Sequence, residues 1–326
     1  MKNSVFNDPF KDSRSQEGIG EMVDQEEKVL MVLRHKDVRR CAHNWKTFQS
    51  EATSGRIVVP SEENIREIRQ IPLELDPPKH GLYRKLVEAW FKRPLQEDYQ
   101  KELRKIIGLT LDEVVAQASV EVISEFSLPL QSRALTLLLN IPVEEAETWI
   151  SWGTYVFRSE ESSLDKDKAN ILYDYIDQKI LAAQNTPGED RYSVLLDAEV
   201  DGRKLTTEEV KGVMVLTFAG GRDTVIHILT NSIGYFAEHP DMLQWMRKDP
   251  SIIGKATEEL IRYHSPLTHI GRITTEETTV CDHILVEDSR ISLCWASANR
   301  DETVFERPID VILDRKANPH VAFGFG

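Results

Sequence analysis

The stretch from Leu205 to Pro240 constrains the fold more than any other part of the chain, because it reads as one long helix. Thr206 and Glu209 form a capping-box pattern at its start, and Pro240 predicts an end after Glu238. At about 1.5 Å per residue, such a helix is roughly 48 Å long, enough to cross a sizeable domain. We therefore expect the rest of the chain to pack around it.

The middle of this helix combines apolar runs with residues that helix interiors usually avoid. The runs 214–218 and 225–229 predict that it crosses a core. Between them lie Gly220, Gly221, Asp223 and Thr224. Each glycine costs on the order of 1 kcal/mol against alanine, and a buried carboxylate needs a partner. The combination predicts a site where another group approaches the helix backbone closely.

The composition narrows the class of protein. The chain has 326 residues, of which 40% are hydrophobic and 29% charged, as in soluble globular proteins. A net charge of −14 argues against nucleic-acid binding, which needs a basic surface. The sequence shows no uncharged apolar run of membrane-spanning length and no signal-peptide pattern, so we expect a cytoplasmic protein without membrane contact.

The order of patterns along the chain predicts a mainly α fold with small β-sheets, of the α+β class. Residues 1–25 are polar and predict a loosely ordered N-terminal arm, and 26–326 predict a single domain. Helical signals dominate 98–190, whereas short β-prone runs follow residue 270. Residues 50–72 read as a long loop of the kind that covers or binds ligands.

Two polar pairs have helical spacing and therefore share a helix face. His80 and Arg84 are i,i+4 in the segment DPPKHGLYR, which is consistent with an exposed stripe or with two donors for one anionic group. Glu259 and Arg262 are i,i+3 in EELIR, a spacing typical of a solvated surface ion pair. Spacing alone leaves both alternatives open.

Taken together, these segments resemble the cytochrome P450 family of haem-thiolate monooxygenases, in particular its soluble bacterial members. GGRDTV resembles the oxygen-activation segment of the family's central helix, and EELIR its Glu-x-x-Arg pair. DPPKHGLYR resembles the haem-propionate helix, and ISLCWASANRDETVFERP and NPHVAFGFG the closing strands, meander and entry to the cysteine loop. The motifs occur in the family's order and cover the chain from about Glu27 to Gly326.

The resemblance implies roles for individual residues. The propionates of haem b would be held by His80, Arg84, Arg272 and His320. Gly221 and Phe323 would lie against the cofactor, and Glu259 and Arg262 would form a buried structural pair, for which Arg315 is a possible third member. Thr224 would hydrogen-bond dioxygen and Asp223 would relay protons, a division that suits a hydroxyl and a carboxylate. The alternative for Asp223 is a buried acid salt-bridged to a neighbouring basic residue, and both can hold.

The sequence departs from the family at its end. In the family a thiolate cysteine follows FGxG within a few residues, whereas this sequence ends at Gly326, inside FGFG. Cys41, Cys281 and Cys294 lie elsewhere and read as packing thiols, so no metal ligand is expected within these residues. The resemblance thus implies a C-terminally truncated P450-like fold. A fragment of a longer chain, a truncated product and a degenerate scaffold are the three alternatives.

The resemblance also implies a substrate and a partner. The substrate pocket would be lined by Ile57, Phe218, Leu267, His269 and Ile270, which predict a small, largely apolar organic substrate. One oxygen atom of O2 would be inserted into it, with electrons from a ferredoxin or flavodoxin-type donor. The basic residues Lys79, Lys85, Lys92 and Arg93 form either the docking patch for this donor or a solvated helix face. The alternative function is a haem-free, inactive scaffold that only binds a ligand.

Overall fold

The fold is described by a computed structural model that covers residues 8–24, 27–51, 62, 65–155, 157 and 165–326. The chain divides into two compact units: the first comprises 1–61 and 231–326, and the second 62–230. Each unit is described on its own. Mostly helical elements and small sheets confirm the predicted mainly α class with minor β-structure.

The first unit is built on a mixed sheet of five strands in the order β1-β2-β9-β6-β3. Its strands are β1 (Ile19–Asp24), β2 (Glu27–Val32), β3 (Phe48–Gln49), β6 (His269–Thr274) and β9 (Arg290–Cys294). β2 and β9 are parallel, and the other pairs are antiparallel. β7 (Thr278–Val280) and β8 (His283–Leu285) form a separate hairpin.

The first unit also contains several α-helices. They are α1 (Lys11–Gln16), α2 (His35–His43), α11 (Pro240–Lys248), α12 (Ile253–His264) and α13 (Trp295–Ala298). Val38, Leu293 and Trp295 are fully buried in the core between α2, β9 and α13. The predicted loosely ordered arm is wrong for the described residues 8–24: α1 and β1 are regular elements, and β1 pairs with β2 along its whole length.

The second unit is a helical bundle with one short hairpin. Its helices before the long stretch are α3 (Lys79–Phe91), α4 (Glu97–Val114), α5 (Leu128–Leu139), α6 (Glu145–Ser151), α7 (Lys166–Asn185) and α8 (Arg191–Asp197). A π-helical turn, Val122–Ser127, leads into α5, and β4 (Glu199–Val200) pairs with β5 (Arg203–Lys204). Its core gathers α7, α8 and the first part of the long stretch.

The long stretch is two helices rather than the single predicted one. α9 (Thr207–Gly221) and α10 (Asp223–Glu238) are separated at Arg222, whose backbone bends to φ −110° and ψ −75°. The predicted capping box of Thr206 and Glu209 is present at the start of α9.

Burial differs between the two halves of this stretch. α9 buries most of its apolar side chains, as predicted, whereas α10 buries Ile226 alone among its described residues, so the prediction of a second buried run was wrong. By length and mean hydropathy (1.2) alone, the stretch 207–238 would also suit a membrane span, but the burial of α9 identifies this part as a core helix.

Candidate functional site

The bend between α9 and α10 is held by side chains that bond its backbone. The hydroxyl of Thr224 donates to the carbonyl of Gly220 at 2.7 Å, four residues earlier. The amide Nε2 of Gln131, a buried residue of α5, donates to the carbonyl of Gly221 at 2.9 Å. Both carbonyls immediately before the bend therefore accept side-chain hydrogen bonds. These bonds offset the cost of interrupting the regular helix, because the carbonyls keep a donor.

Arg222, the residue at the bend, is fully buried. Its Nη2 donates to the carbonyl of Trp149 at 2.5 Å and to that of Gly153. Burial lowers the pKa of the guanidinium to about 10, and the charge of Asp223 acts in the opposite direction. Arg222 is therefore still a cation at neutral pH, inside the second unit.

The two glycines before the bend have no explanation in the packing of the protein. A Cβ added at Gly220 would meet its nearest neighbour, Leu216 Cδ1, at 3.8 Å, and one at Gly221 would meet Leu135 Cδ1 at 4.0 Å. These are ordinary van der Waals distances, and neither glycine has the positive φ that favours glycine. Gly220 is exposed. The helix thus gives up about 1 kcal/mol per glycine without a gain in packing, which fits a flat group lying against the backbone here.

Asp223 begins α10 and is half-buried. A carboxylate in the first turn of a helix is favoured by the helix dipole, and its negative charge acts on neighbouring Arg222. Asp223 and Thr224 thus stand at the one bend of the long stretch, as a carboxylate and a hydroxyl in adjacent positions. This arrangement suits the orientation of a small ligand and the movement of a proton.

His80 and Arg84 lie on one face of α3, also in the second unit. Arg84 is exposed and His80 is half-buried. Between them on α3, Tyr83 is buried, and its hydroxyl donates to Glu209 in the first turn of α9. This bond joins the helix that carries the two donors to the start of the long stretch.

In the first unit, His320 and Phe323 are neighbours, with ring centroids 5.8 Å apart. His320 Nε2 lies 2.8 Å from the carboxylate of Glu258, and Phe323 is 76% exposed. Arg272, on β6, is half-buried and donates to the carbonyl of Gly271 at 2.8 Å. The first unit thus places an imidazole, a guanidinium and an exposed aromatic ring at these three positions.

Glu259 and Arg262 form a buried, bidentate ion pair, with both side chains at 0% exposure and N–O distances of 2.8 and 2.9 Å. Arg315 adds a second bidentate pair to the same carboxylate at 2.8 and 3.0 Å. Burial raises the pKa of Glu259, but the hydrogen bonds from Arg262 and Arg315 outweigh it, so the net shift is downward. The spacing in the sequence was also consistent with a surface pair, and the buried geometry excludes that alternative.

The predicted pocket residues are in different environments. Ile57 lies outside the described residues. Phe218 is fully buried, and its ring packs edge-on against Trp149 at 5.1 Å and Tyr175 at 5.9 Å, so the second unit already encloses it.

The other three lie in the first unit, at or next to β6. Leu267 is 41% exposed, Ile270 is half-buried, and the ring of His269 lies 2.8 Å from the hydroxyl of Thr268. Their lining of a pocket stays a prediction.

The three cysteines are free. Burial raises the pKa of Cys41 to about 12 and that of Cys294 to about 11. Burial also raises the pKa of Cys281 to about 11, and its thiol lies 3.3 Å from Asp37. All three are therefore protonated at neutral pH, which suits packing thiols rather than metal-binding thiolates.

Comparison with known proteins identifies the family. The family model described as Cytochrome P450 matches residues 155–326. Cytochrome P450 109 of Bacillus spizizenii is 29% identical over 264 residues, which are 78% of this chain and 65% of that relative. The putative cytochrome P450 YjiB of Bacillus subtilis is 26% identical over 317 residues, 93% of this chain and 77% of its own length.

A solved structure described as a carbohydrate-active P450 is 62% identical and superposes with a TM-score of 0.93, covering 98% of this chain and 83% of that protein. The chain belongs to the cytochrome P450 family, whose cofactor is haem b, and the predicted fold class and family are confirmed. The match spans about 65% of the Bacillus spizizenii relative's length.

Three residues at the site were not predicted as functional. Gln131 bonds a backbone carbonyl that is 90 positions away in the sequence, and Arg222 lies between the glycine pair and the acid of GGRDTV. Tyr83 lies between His80 and Arg84 on α3. The usable signal was in Arg222: an arginine placed between a glycine pair and an acid in an apolar helix has to find a partner or reach solvent.

Proposed function

We propose that this chain belongs to a P450 monooxygenase that inserts one atom of O2 into an organic substrate. The observation that carries the proposal is the bend at residues 220–224, where two glycines without a packing role precede an acid and a hydroxyl. When bound, haem b would supply the oxygen-activating chemistry, with a cysteine thiolate as the family's iron ligand.

In this proposal the residues of the chain hold, orient and move protons. His80, Arg84, Arg272 and His320 would hold the propionates through charge-assisted hydrogen bonds. The hydroxyl of Thr224 would orient the oxygen substrate, while its own bond to Gly220 keeps it in place. The carboxylate of Asp223 would pass protons from solvent.

We propose a carbohydrate as the substrate. The sequence predicted a small, largely apolar molecule, partly because Phe218 was expected to line the pocket, but its ring is enclosed by other aromatic rings. The 62% identical relative is described as carbohydrate-active, and this similarity supports a polar sugar substrate over an apolar one.

The electron donor is proposed to be a separate ferredoxin or flavodoxin-type protein, and the site of action the cytoplasm. Of the four basic residues considered for docking, Lys92 pairs with Glu88 at 2.7 Å. Arg93 donates to the carbonyl of Leu138 at 2.8 Å and lies over the Trp90 ring. Lys79 and Lys85 are exposed on α3, and they support a smaller docking patch on an otherwise acidic protein.

The experiment compares two proteins: the 326-residue chain, and the same chain joined at Gly326 to the C-terminal segment of the 62% identical relative. Each is loaded with haem, reduced and exposed to carbon monoxide. We expect a thiolate-type Soret band from the joined protein, for which the 326-residue chain is the reference. Absence of the band in a folded joined protein would favour the alternative, a haem-free scaffold.

The joined protein then tests the site residues and the substrate. Asp223→Asn should lower turnover about 100-fold, because proton transfer by a placed side chain contributes at least that much. Asp174→Asn, at an exposed position of α7, is the matched control and should leave turnover unchanged. Spectral titration with oligosaccharides and with a monoterpene distinguishes the two substrate classes, and tighter binding of the terpene would overturn the carbohydrate proposal.

A further inference from the structure

The bend at Arg222 depends on side chains outside the segment GGRDTV. Gln131 is 3% exposed and comes from α5, yet its amide nitrogen satisfies the carbonyl of Gly221 at 2.9 Å. Gln131 to Met would keep the length of the side chain and remove the donor. A buried carbonyl without a donor is unfavourable, so the backbone at Gly221 would rearrange towards another partner.

Arg222 links the bend to the end of another helix. Its two acceptors are the carbonyls of Trp149, in the last turn of α6, and of Gly153, just past that helix. Carbonyls at a helix C-terminus carry partial negative charge, which a cation stabilises. The guanidinium also lies 5.7 Å from the centre of the Trp152 ring. Arg222 therefore caps α6 with a side chain that starts from the bend.

α5 and the π-helical turn that leads into it contact the long stretch on both sides of the bend. Before the bend, Leu135 of α5 is the nearest side chain to a Cβ added at Gly221, at 4.0 Å. After the bend, the hydroxyl of Ser127, the last residue of the π-helical turn, accepts a 2.9 Å hydrogen bond from Thr230. Ser127 and Gln131 are one helical turn apart. The continuous helical segment 122–139 thus contacts the chain on either side of Arg222.

We propose that Gln131 and Arg222 are positioning residues that hold the bend and thereby place Asp223 and Thr224. Gln131 anchors the bend to α5, and Arg222 anchors it to the end of α6. Neither acts on the substrate. The proposal rests on the proposed monooxygenase function only for its effect on turnover, because the hydrogen bonds of Gln131 and Arg222 are contacts within the chain.

The first test is amide hydrogen exchange in the 326-residue chain, which needs no activity. Gln131→Met should speed exchange at residues 221–226 about tenfold and leave α7 within twofold, because the lost bond is local. Ser132→Ala, one residue along α5 and also fully buried, is the matched control and should change neither. Equal exchange in Gln131→Met and the parent at residues 221–226 would overturn the proposal, and so would faster exchange throughout α7.

Arg222→Met separates the two anchors. It should speed exchange at residues 221–226 and also at 152–153, whose amides bond carbonyls of α6, whereas Gln131→Met should leave 152–153 unchanged. Unchanged exchange at 152–153 in a folded Arg222→Met protein would overturn the link to α6. If Arg222→Met does not fold, Gln131→Met still decides whether the bend is held from outside.

The second test uses the haem-loaded joined protein. Gln131→Met should lower the fraction of reducing equivalents recovered in product about threefold or more, while the substrate dissociation constant stays within twofold of the parent. Full coupling despite fast exchange at residues 221–226 would overturn the positioning role. An inactive parent would count against the proposed function, and the exchange result would remain valid.

Discussion

The cluster around Glu259 in the first unit and the bend at residues 220–224 in the second both use polar side chains to form hydrogen bonds. They differ in the backbone that these side chains surround, which is regular in the cluster and irregular at the bend. In the cluster, Arg262 and Arg315 each grip one carboxylate in a bidentate pair, and the backbone of α12 remains regular. At the bend, the backbone is irregular, and Thr224, Gln131 and Arg222 supply hydrogen bonds around it.

The difference lies in what each region leaves available. The carboxylate of Glu259 accepts from two arginines and also from the backbone of Ile312 at 2.8 Å, so its acceptor capacity is filled by the protein. At the bend, Gly220 is exposed and Asp223 is half-buried. The Glu259 carboxylate is bonded within the protein and serves stability, whereas the exposed backbone at Gly220 is suited to contact with a ligand.

The largest effect is expected from Glu259→Gln. It leaves two buried guanidinium groups without their counter-charge, and breaking a buried pair in this way costs about 3–5 kcal/mol. The free energy of unfolding, measured by denaturant titration of the 326-residue chain, should fall by that amount.

Its matched control is Glu258→Gln, one residue earlier on α12. Glu258 is 55% exposed and pairs with His320, so this change should cost less than about 1 kcal/mol. Similar losses for the two variants would show that the cluster is no more important than a surface pair and would break the contrast drawn above.

The sequence predicts the cluster better than the bend, for a physical reason. Local spacing brings Glu259 and Arg262 together on one helix turn, and the capping box at Thr206 and Glu209 likewise needs only neighbours in sequence. Gln131 meets Gly221 through a side-chain bond to backbone, which leaves no periodic signal. The helix break could not be predicted from the sequence for the same reason, because the residues that stabilise it lie in or next to α5 and α6, far from residue 222 in sequence.

The N-terminal residues show a second limit. Their polar composition predicted a loose arm, yet β1 is a regular strand whose exposed side chains alternate along the sheet edge. Edge strands are often rich in polar and charged residues, so composition conceals them. Pairing with β2 decides the structure there, and pairing partners cannot be read from one segment alone.

The next prediction compares two glycines on α9. At Gly212, an added Cβ would lie 2.6 Å from the backbone carbonyl of Arg69 and 3.1 Å from Ile71, so Gly212→Ala should destabilise the chain by about 1–3 kcal/mol. At Gly220 the added methyl has room, so Gly220→Ala should stabilise the ligand-free chain by about 0.5–1 kcal/mol.

Thermal unfolding of the ligand-free chain measures both changes in stability. Haem titration of the joined protein measures the effect of Gly220→Ala on haem affinity. Gly220→Ala should weaken haem binding while it raises stability. If Gly220→Ala destabilised the ligand-free chain as much as Gly212→Ala does, both glycines would be required for packing. The inference that a ligand lies against the backbone at the bend would then be wrong.

The smallest effect on stability is expected at Glu209 of the second unit, whose carboxylate accepts hydrogen bonds from Arg203 and Tyr83. Hydrogen bonds from Arg203 lower the pKa of Glu209 to about 2, against a smaller opposing effect of burial, with Tyr83 as a further donor. Because the pKa is lower in the folded chain, the stabilisation is complete above the unfolded value of about 4.5 and is lost as the pH falls towards 2. Arg203 is 53% exposed, so the contribution should be about 1 kcal/mol or less.

Glu209→Gln isolates this contribution, because glutamine preserves the capping box at the start of α9 but has no charge to lose. The difference in unfolding free energy between parent and variant should be constant from pH 7 to 5 and shrink between pH 4.5 and 2. Glu259→Gln and Glu209→Gln both remove one carboxylate charge from a group bonded to arginine. If the two variants lost the same unfolding free energy at pH 7, the number of hydrogen bonds, and not burial, would determine how much such a network stabilises the chain. A much smaller loss for Glu209→Gln is expected, since water already solvates its arginine and little desolvated charge is left behind.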